Sequence, residues 1–71
     1  MKSKSIISHT VRKERKALGH TQQEFSQRVG VSLSFLRSLE QGKTTLRLDK
    51  VNEVLNFLGL ELIPSRVNSN E

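Results

Sequence analysis

Seventy-one residues make one domain at most, because a chain this short cannot divide its apolar side chains between two cores and stabilise either. Leu, Ile, Val and Phe supply 22 of the 71, which excludes disorder by low hydrophobicity, and the lack of Cys excludes disulfide and zinc-thiolate staples and points to a reducing cytoplasm. Charge is unevenly placed within a net +5: residues 1–47 hold ten Lys/Arg against three Asp/Glu, and residues 48–71 hold two against four, an asymmetry that suits a polyanion, nucleic acid ahead of lipid.

The N-terminal segment, residues 1–6, offers almost nothing to bury and reads as a flexible arm. Lys2 and Lys4 precede only Ile6 and Ile7, far short of a signal-peptide core or a membrane span. From Ile7 the apolar positions Ile7, Val11 and Leu18, with Arg15 on the same stripe, predict a first helix that stops at Gly19. Arg12, Lys13 and Lys16 lie between these positions and read as a solvated basic face. Thr21-Gln22-Gln23-Glu24 has the capping-box pattern and starts a second helix at Gln22, with Phe25 and Val29 inward, the small Ser26 beside them, and Gly30 at its end. Ser32 is placed to cap a third helix over 33–40, whose apolar pair is Leu36 and Leu39. Phe35 sits at the edge of that stripe, open to core packing or to a surface contact. After the polar connection Lys43-Thr44-Thr45, the series Leu48, Val51, Val54, Leu55, Leu58 predicts a fourth helix closed by Gly59. Leu60-Glu61-Leu62-Ile63 reads as a short strand, ended by Pro64 and without a partner in this chain. Residues 64–71 form a polar, flexible tail, so the domain runs over 7–63.

With Gly counted, 28 of 71 residues are apolar, short of the roughly 45–50% of an average domain. A second copy would make good that deficit. An enzyme is not expected: His9 and His20 lie eleven apart with no Cys and no carboxylate pair nearby, both read as surface residues, and neither a metal site, a nucleophile elbow nor a Gly-rich phosphate loop is present. No cofactor is called for, and a chain of this size has little room for a pocket of a few hundred Å³ beside its core.

Thr21 to Gln41 combines a capping box, a small residue at a helix crossing, a Gly at the turn and an apolar triad of Val31, Leu36 and Leu39. Each is weak alone; together, flanked by a helix on either side, they match helix-turn-helix geometry. The chain resembles the lambda-repressor-like, or Xre-type, DNA-binding family through Thr21-Gln22-Gln23-Glu24-Phe25, Gly30-Val31-Ser32, Leu36 and Leu39-Glu40-Gln41-Gly42-Lys43, over residues 7–58. Within it, the run Ser34 to Leu46 and Leu58-Gly59-Leu60-Glu61-Leu62 resemble the HipB-type antitoxins.

The resemblance implies an all-α bundle of four helices, with a C-terminal strand over Leu60, Glu61, Leu62 and Ile63 that pairs with its twin across a homodimer. It further implies base reading by Ser32, Leu33, Ser34, Arg37 and Ser38 from the third helix in the major groove, and phosphate contacts from Gln22, Gln41 and Lys43, the last with the Gln41-Gly42 backbone. A polar residue is usual in the family where Leu33 stands, so the operator does not carry over. Arg15 is left between two readings by its own position, snorkelling to solvent or, as the family has it, a structural ion pair with Glu40. The implied partners are double-stranded DNA with a palindromic operator, a second copy and a HipA-like Ser/Thr kinase toxin, and the implied setting is the bacterial nucleoid. A stand-alone repressor, and an interaction module that restrains a protein without specific DNA binding, remain the alternatives.

Overall fold

The computed structural model describes residues 6–66; the remainder of the N-terminal arm and the end of the tail lie outside them. Four helices follow one another: α1 (Ile6–Ala17), α2 (Gln22–Val29), α3 (Leu33–Glu40) and α4 (Leu48–Phe57). The first begins one residue earlier than its apolar stripe, at Ile6, whose side chain stays exposed. All four glycines of the chain, Gly19, Gly30, Gly42 and Gly59, follow helix ends with positive φ. After each, the next residue's N–H returns to a carbonyl five residues back, as in His20 to Arg15, Val31 to Ser26, Lys43 to Ser38 and Leu60 to Leu55. This closure satisfies carbonyls that a helix end would otherwise leave open.

Helix α3 packs on both α1 and α2, and α4 packs on α2. The core they enclose consists of Val11 from α1, Phe25 from α2, Val31 from the turn, Leu36 and Leu39 from α3, and Val51, Val54 and Leu55 from α4. Ile7, Val29, Phe35, Leu46 and Leu58 close around it half-buried. Phe35 thus takes the packing reading over a bare surface one. Phe25 occupies the centre, fully buried, with the Phe57 ring edge-on at 5.5 Å and the His20 ring tilted at 6.2 Å. Such contacts between rings add to the area they bury.

Two positions of the apolar stripes fall outside this core. Leu18 is 52% exposed and Leu48 is 62% exposed; each stands at the end of its stripe, and Leu48 borders an open groove with Ile7, Leu39 and Leu62. The strand expected over Leu60, Glu61, Leu62 and Ile63 is absent among the described residues, where 61–66 take no regular structure. A strand requires a ladder partner, and none is present among the described residues. No described helix is long and apolar enough to cross a membrane.

Candidate nucleic-acid interface

Helix α2 and the turn that leads into α3 are fixed by local chemistry. Thr21 is extended at φ −72°, ψ 166°, its hydroxyl accepts the Glu24 N–H at 3.1 Å, and its own N–H donates to the Glu24 carboxylate at 3.0 Å. That backbone hydrogen bond is the main reason the Glu24 carboxyl is held below its usual range. Helix α2 ends at Gly30, whose φ of +94° is one that an L side chain adopts only with strain. Two residues later Ser32, extended at ψ 153°, accepts the Phe35 N–H at 3.0 Å and starts α3. Between them the N–H groups of Gly30 and Val31 both return to the Ser26 carbonyl, at 2.9 and 3.1 Å.

Helix α3 has two distinct faces. Leu36, Leu39 and Glu40 point inward. On the other side Ser32, Ser34 and Arg37 are exposed and Leu33 and Ser38 half-buried, with 33 and 37, and 34 and 38, stacked at four-residue spacing. The residues named from the sequence as base readers thus share one outward arc, although Ser32 already uses its oxygen as the cap. At the other end of α3 the backbone closes on itself. The N–H groups of Gln41, Gly42 and Lys43 donate to the carbonyls of Arg37, Leu39 and Ser38 at 3.0, 3.1 and 3.1 Å, so this backbone is engaged in closing the helix, while the side chains of Gln41 and Lys43 are exposed.

Arg15, on the apolar stripe of α1, does not reach to solvent. Its Nε and Nη2 donate to the two carboxylate oxygens of Glu40 at 2.7 and 3.0 Å, its Nη1 donates to the His20 carbonyl at 2.7 Å, and both side chains are more than nine-tenths buried. Gln22 adds a third bond to the same carboxylate, Nε2 to Oε1 at 3.0 Å. One buried network therefore joins α1, the α1–α2 turn, the first residue of α2 and the last of α3. Burial works to raise the Glu40 pKa, but the hydrogen bonds from Arg15 and Gln22, with the charges of Arg15 and Arg12, outweigh it and hold the carboxyl below its usual range. Removing either ion would strand the other in the interior at a cost of about 3–5 kcal/mol.

Arg12, Arg15, Gln22, Glu40 and Gln41 line an open polar cleft of about 410 Å³. Space of that size is present after all, as a surface cleft beside the core. Nothing in the order of residues points to Arg12 there, since the cleft joins α1 to residues ten and more positions away. His20 also departs from a plain surface role: it is half-buried against Phe25, and its Nδ1 is buried without a hydrogen-bond partner among the described residues. His9 stays exposed. Among the described residues no group of His, Asp or Glu side chains is arranged to hold a metal ion.

Two capped helices joined by a tight turn, with the second presenting a polar outer arc, define a helix-turn-helix unit, the class of domain that lays its second helix in the major groove of DNA. The family model described as Helix-turn-helix matches residues 11–63, well over half of the chain, and the protein belongs to that family, in its Xre-like form. It carries the DNA-binding domain of a regulator. A search of curated proteins returned no match.

Proposed function

We propose that the protein is a homodimeric repressor that occludes a palindromic operator and serves as the antitoxin of a HipA-like kinase. The observation that carries the DNA-reading part is the buried Arg15–Glu40–Gln22 network. It locks the start of α2 to the end of α3, so a phosphate held at Gln22 would fix where the outer arc of α3 meets the bases. In this reading Ser32, Leu33, Ser34, Arg37 and Ser38 touch base edges, with Arg37 suited to bidentate contact with guanine and Leu33 to a thymine methyl. Gln22, Gln41 and Lys43 hold phosphates and set register without reading sequence.

Dimerisation rests on exposed apolar surface at the end of the fold. Leu60 and Leu62 are each 37% exposed and Ile63 is 68% exposed, and their backbone is not in a ladder. Pairing Leu60, Glu61, Leu62 and Ile63 antiparallel with a second copy would cover both the side chains and the open edge. Two half-sites about one helical turn, 34–36 Å, apart or a multiple of that would follow. The antitoxin role rests on the resemblance of Ser34 to Leu46 and Leu58 to Leu62 to HipB-type proteins, and it would place the protein in the cytoplasm, on the nucleoid. Co-expression with a neighbouring kinase-like gene and size-exclusion chromatography test it: co-elution supports the antitoxin, and separate elution leaves a stand-alone repressor. For the DNA reading, removal of residues 60–71 should lower operator affinity by about 10²–10⁴-fold while single half-sites still bind. An equally dimeric truncated chain in sedimentation would move the interface elsewhere.

A further inference from the structure

Helix α1 carries a basic stripe that the α2–α3 unit does not account for. His9, Arg12, Lys13 and Lys16 are all exposed and line one shallow cleft on its outer face, at the i, i+3, i+4, i+7 spacing that aligns side chains along a helix. Glu14 is not part of that lining. Arg12 borders this cleft and also the polar cleft with Gln22, Glu40 and Gln41, so the two clefts adjoin at one guanidinium.

The charges in the polar cleft decide what it attracts. Arg15 and Glu40 neutralise each other through two hydrogen bonds, and Gln22 covers the same carboxylate. With Arg12 counted, the cleft holds two guanidinium charges against one carboxylate, beside the neutral amides of Gln22 and Gln41, and so keeps a net positive charge. We propose that α1 extends the DNA contact beyond the helix-turn-helix: Arg12 grips the phosphate at the start of α2, and Lys13 and Lys16 follow the same strand outward from the operator. The inference rests on the DNA-binding reading above and adds to it a track about 10 Å long, from residue 9 to residue 16. An acidic protein would also be drawn to lysines, but continuity through Arg12 with the cleft that holds Gln22 and Gln41 favours a phosphate backbone. Phosphate contacts carry no base information, so they should govern affinity and salt dependence and leave sequence preference alone.

The test is the salt dependence of binding to a mixed-sequence duplex, measured with the full chain over a series of KCl concentrations. Every phosphate that a variant no longer neutralises should make the log–log slope shallower by about 0.9. The triple variant Arg12→Gln, Lys13→Gln, Lys16→Gln should therefore lose about 2–3 units of slope per subunit. A charge-matched control, Arg28→Gln, Lys50→Gln, Arg66→Gln, should keep a slope within about one unit of wild type. All six side chains lie outside the core, and circular dichroism verifies that both variants fold. Equal slopes for the two variants would overturn the α1 track while leaving the DNA reading intact. An α1 variant that keeps the wild-type slope but loses binding to poly-glutamate would also overturn it and mark the stripe as a protein-docking face. A wild-type chain that ignores duplex altogether would overturn the DNA reading and, with it, this inference.

Discussion

Two bidentate arginine–carboxylate pairs stand in different regions of the fold, one between α1 and α3 and one at the start of α4, and they differ in almost everything except geometry. Arg15 meets Glu40 at 2.7 and 3.0 Å, twenty-five residues apart and buried. Arg47 meets Asp49 at 2.7 and 3.1 Å, two residues apart, with side chains 72% and 59% exposed. The first ties three segments of the fold together; the second decorates the start of α4. The same contrast runs through the helix starts, since Thr21 and Ser32 cap α2 and α3 with hydrogen bonds while Arg47 gives α4 no side-chain cap. It also runs through the surfaces, because the outer arc of α3 is largely polar whereas the α4 end leaves Leu48, Phe57, Leu60, Leu62 and Ile63 exposed. The α2–α3 unit is thus fixed by its own caps and by the Arg15 pair from α1. The α4 end is built with apolar surface to spare, which the second copy proposed above would cover.

Breaking the buried pair should separate the two regions most sharply. Arg15→Ala should cost about 3–5 kcal/mol in urea unfolding because it strands the Glu40 carboxylate, while Arg47→Ala should change stability by no more than about 0.5 kcal/mol. Replacing both members by apolar residues, Arg15→Met with Glu40→Leu, should recover much of the loss, since no buried charge is then left unpaired. Next in size is packing: Leu36→Ala should cost about 2–5 kcal/mol, whereas the exposed Leu48 should tolerate Ala with little change in the monomer. Removing a cap comes third, with Thr21→Ala and Ser32→Ala each costing about 1 kcal/mol.

A subtler difference concerns pH. Because the Glu40 pKa is lower in the folded protein than its usual value, the pair's contribution is complete above about pH 5 and is lost as pH falls through the folded value. Protonation then prevails in the folded chain too. Glu40→Gln should flatten this part of the acid limb in urea titrations followed by circular dichroism; a limb of unchanged steepness would show that other carboxylates set it. Glu24 and Asp49 are also shifted down, by their own local hydrogen bonds, so the difference between wild type and variant is the quantity to read.

What the sequence made legible is what neighbouring residues decide. The capping box at Thr21, the cap at Ser32 and the glycines after each helix act within a few positions, and they marked the ends of α2 and α3 and the close of α4 without reference to the rest of the chain. The Arg15 stripe position was visible, but its pairing with Glu40 came from the family resemblance, since nothing local links residues so far apart. Gln22's bond to Glu40 and Arg12's place on the cleft were not visible at all, because both depend on how α1 lies against the α2–α3 unit. Periodicity erred at Leu18 and Leu48 for a related reason: it records where apolar side chains could pack, not which of them the fold covers. Leu60 to Ile63 show the same limit, as a strand pattern with no ladder partner among the described residues.

If the outer arc of α3 reads DNA sequence from a frame held by the Arg15–Glu40–Gln22 network, its exposed side chains must set the bases that are preferred. Selection of binding sites from a random duplex library, with the wild type beside Ser34→Ala and Arg37→Ala, puts that to the test. A palindromic motif is expected for the wild type, and for each variant a loss of preference of about 1–3 kcal/mol at particular base pairs with the rest of the motif retained. Recovery of no motif by the wild type, or of an identical motif by all three proteins, would refute sequence reading by α3.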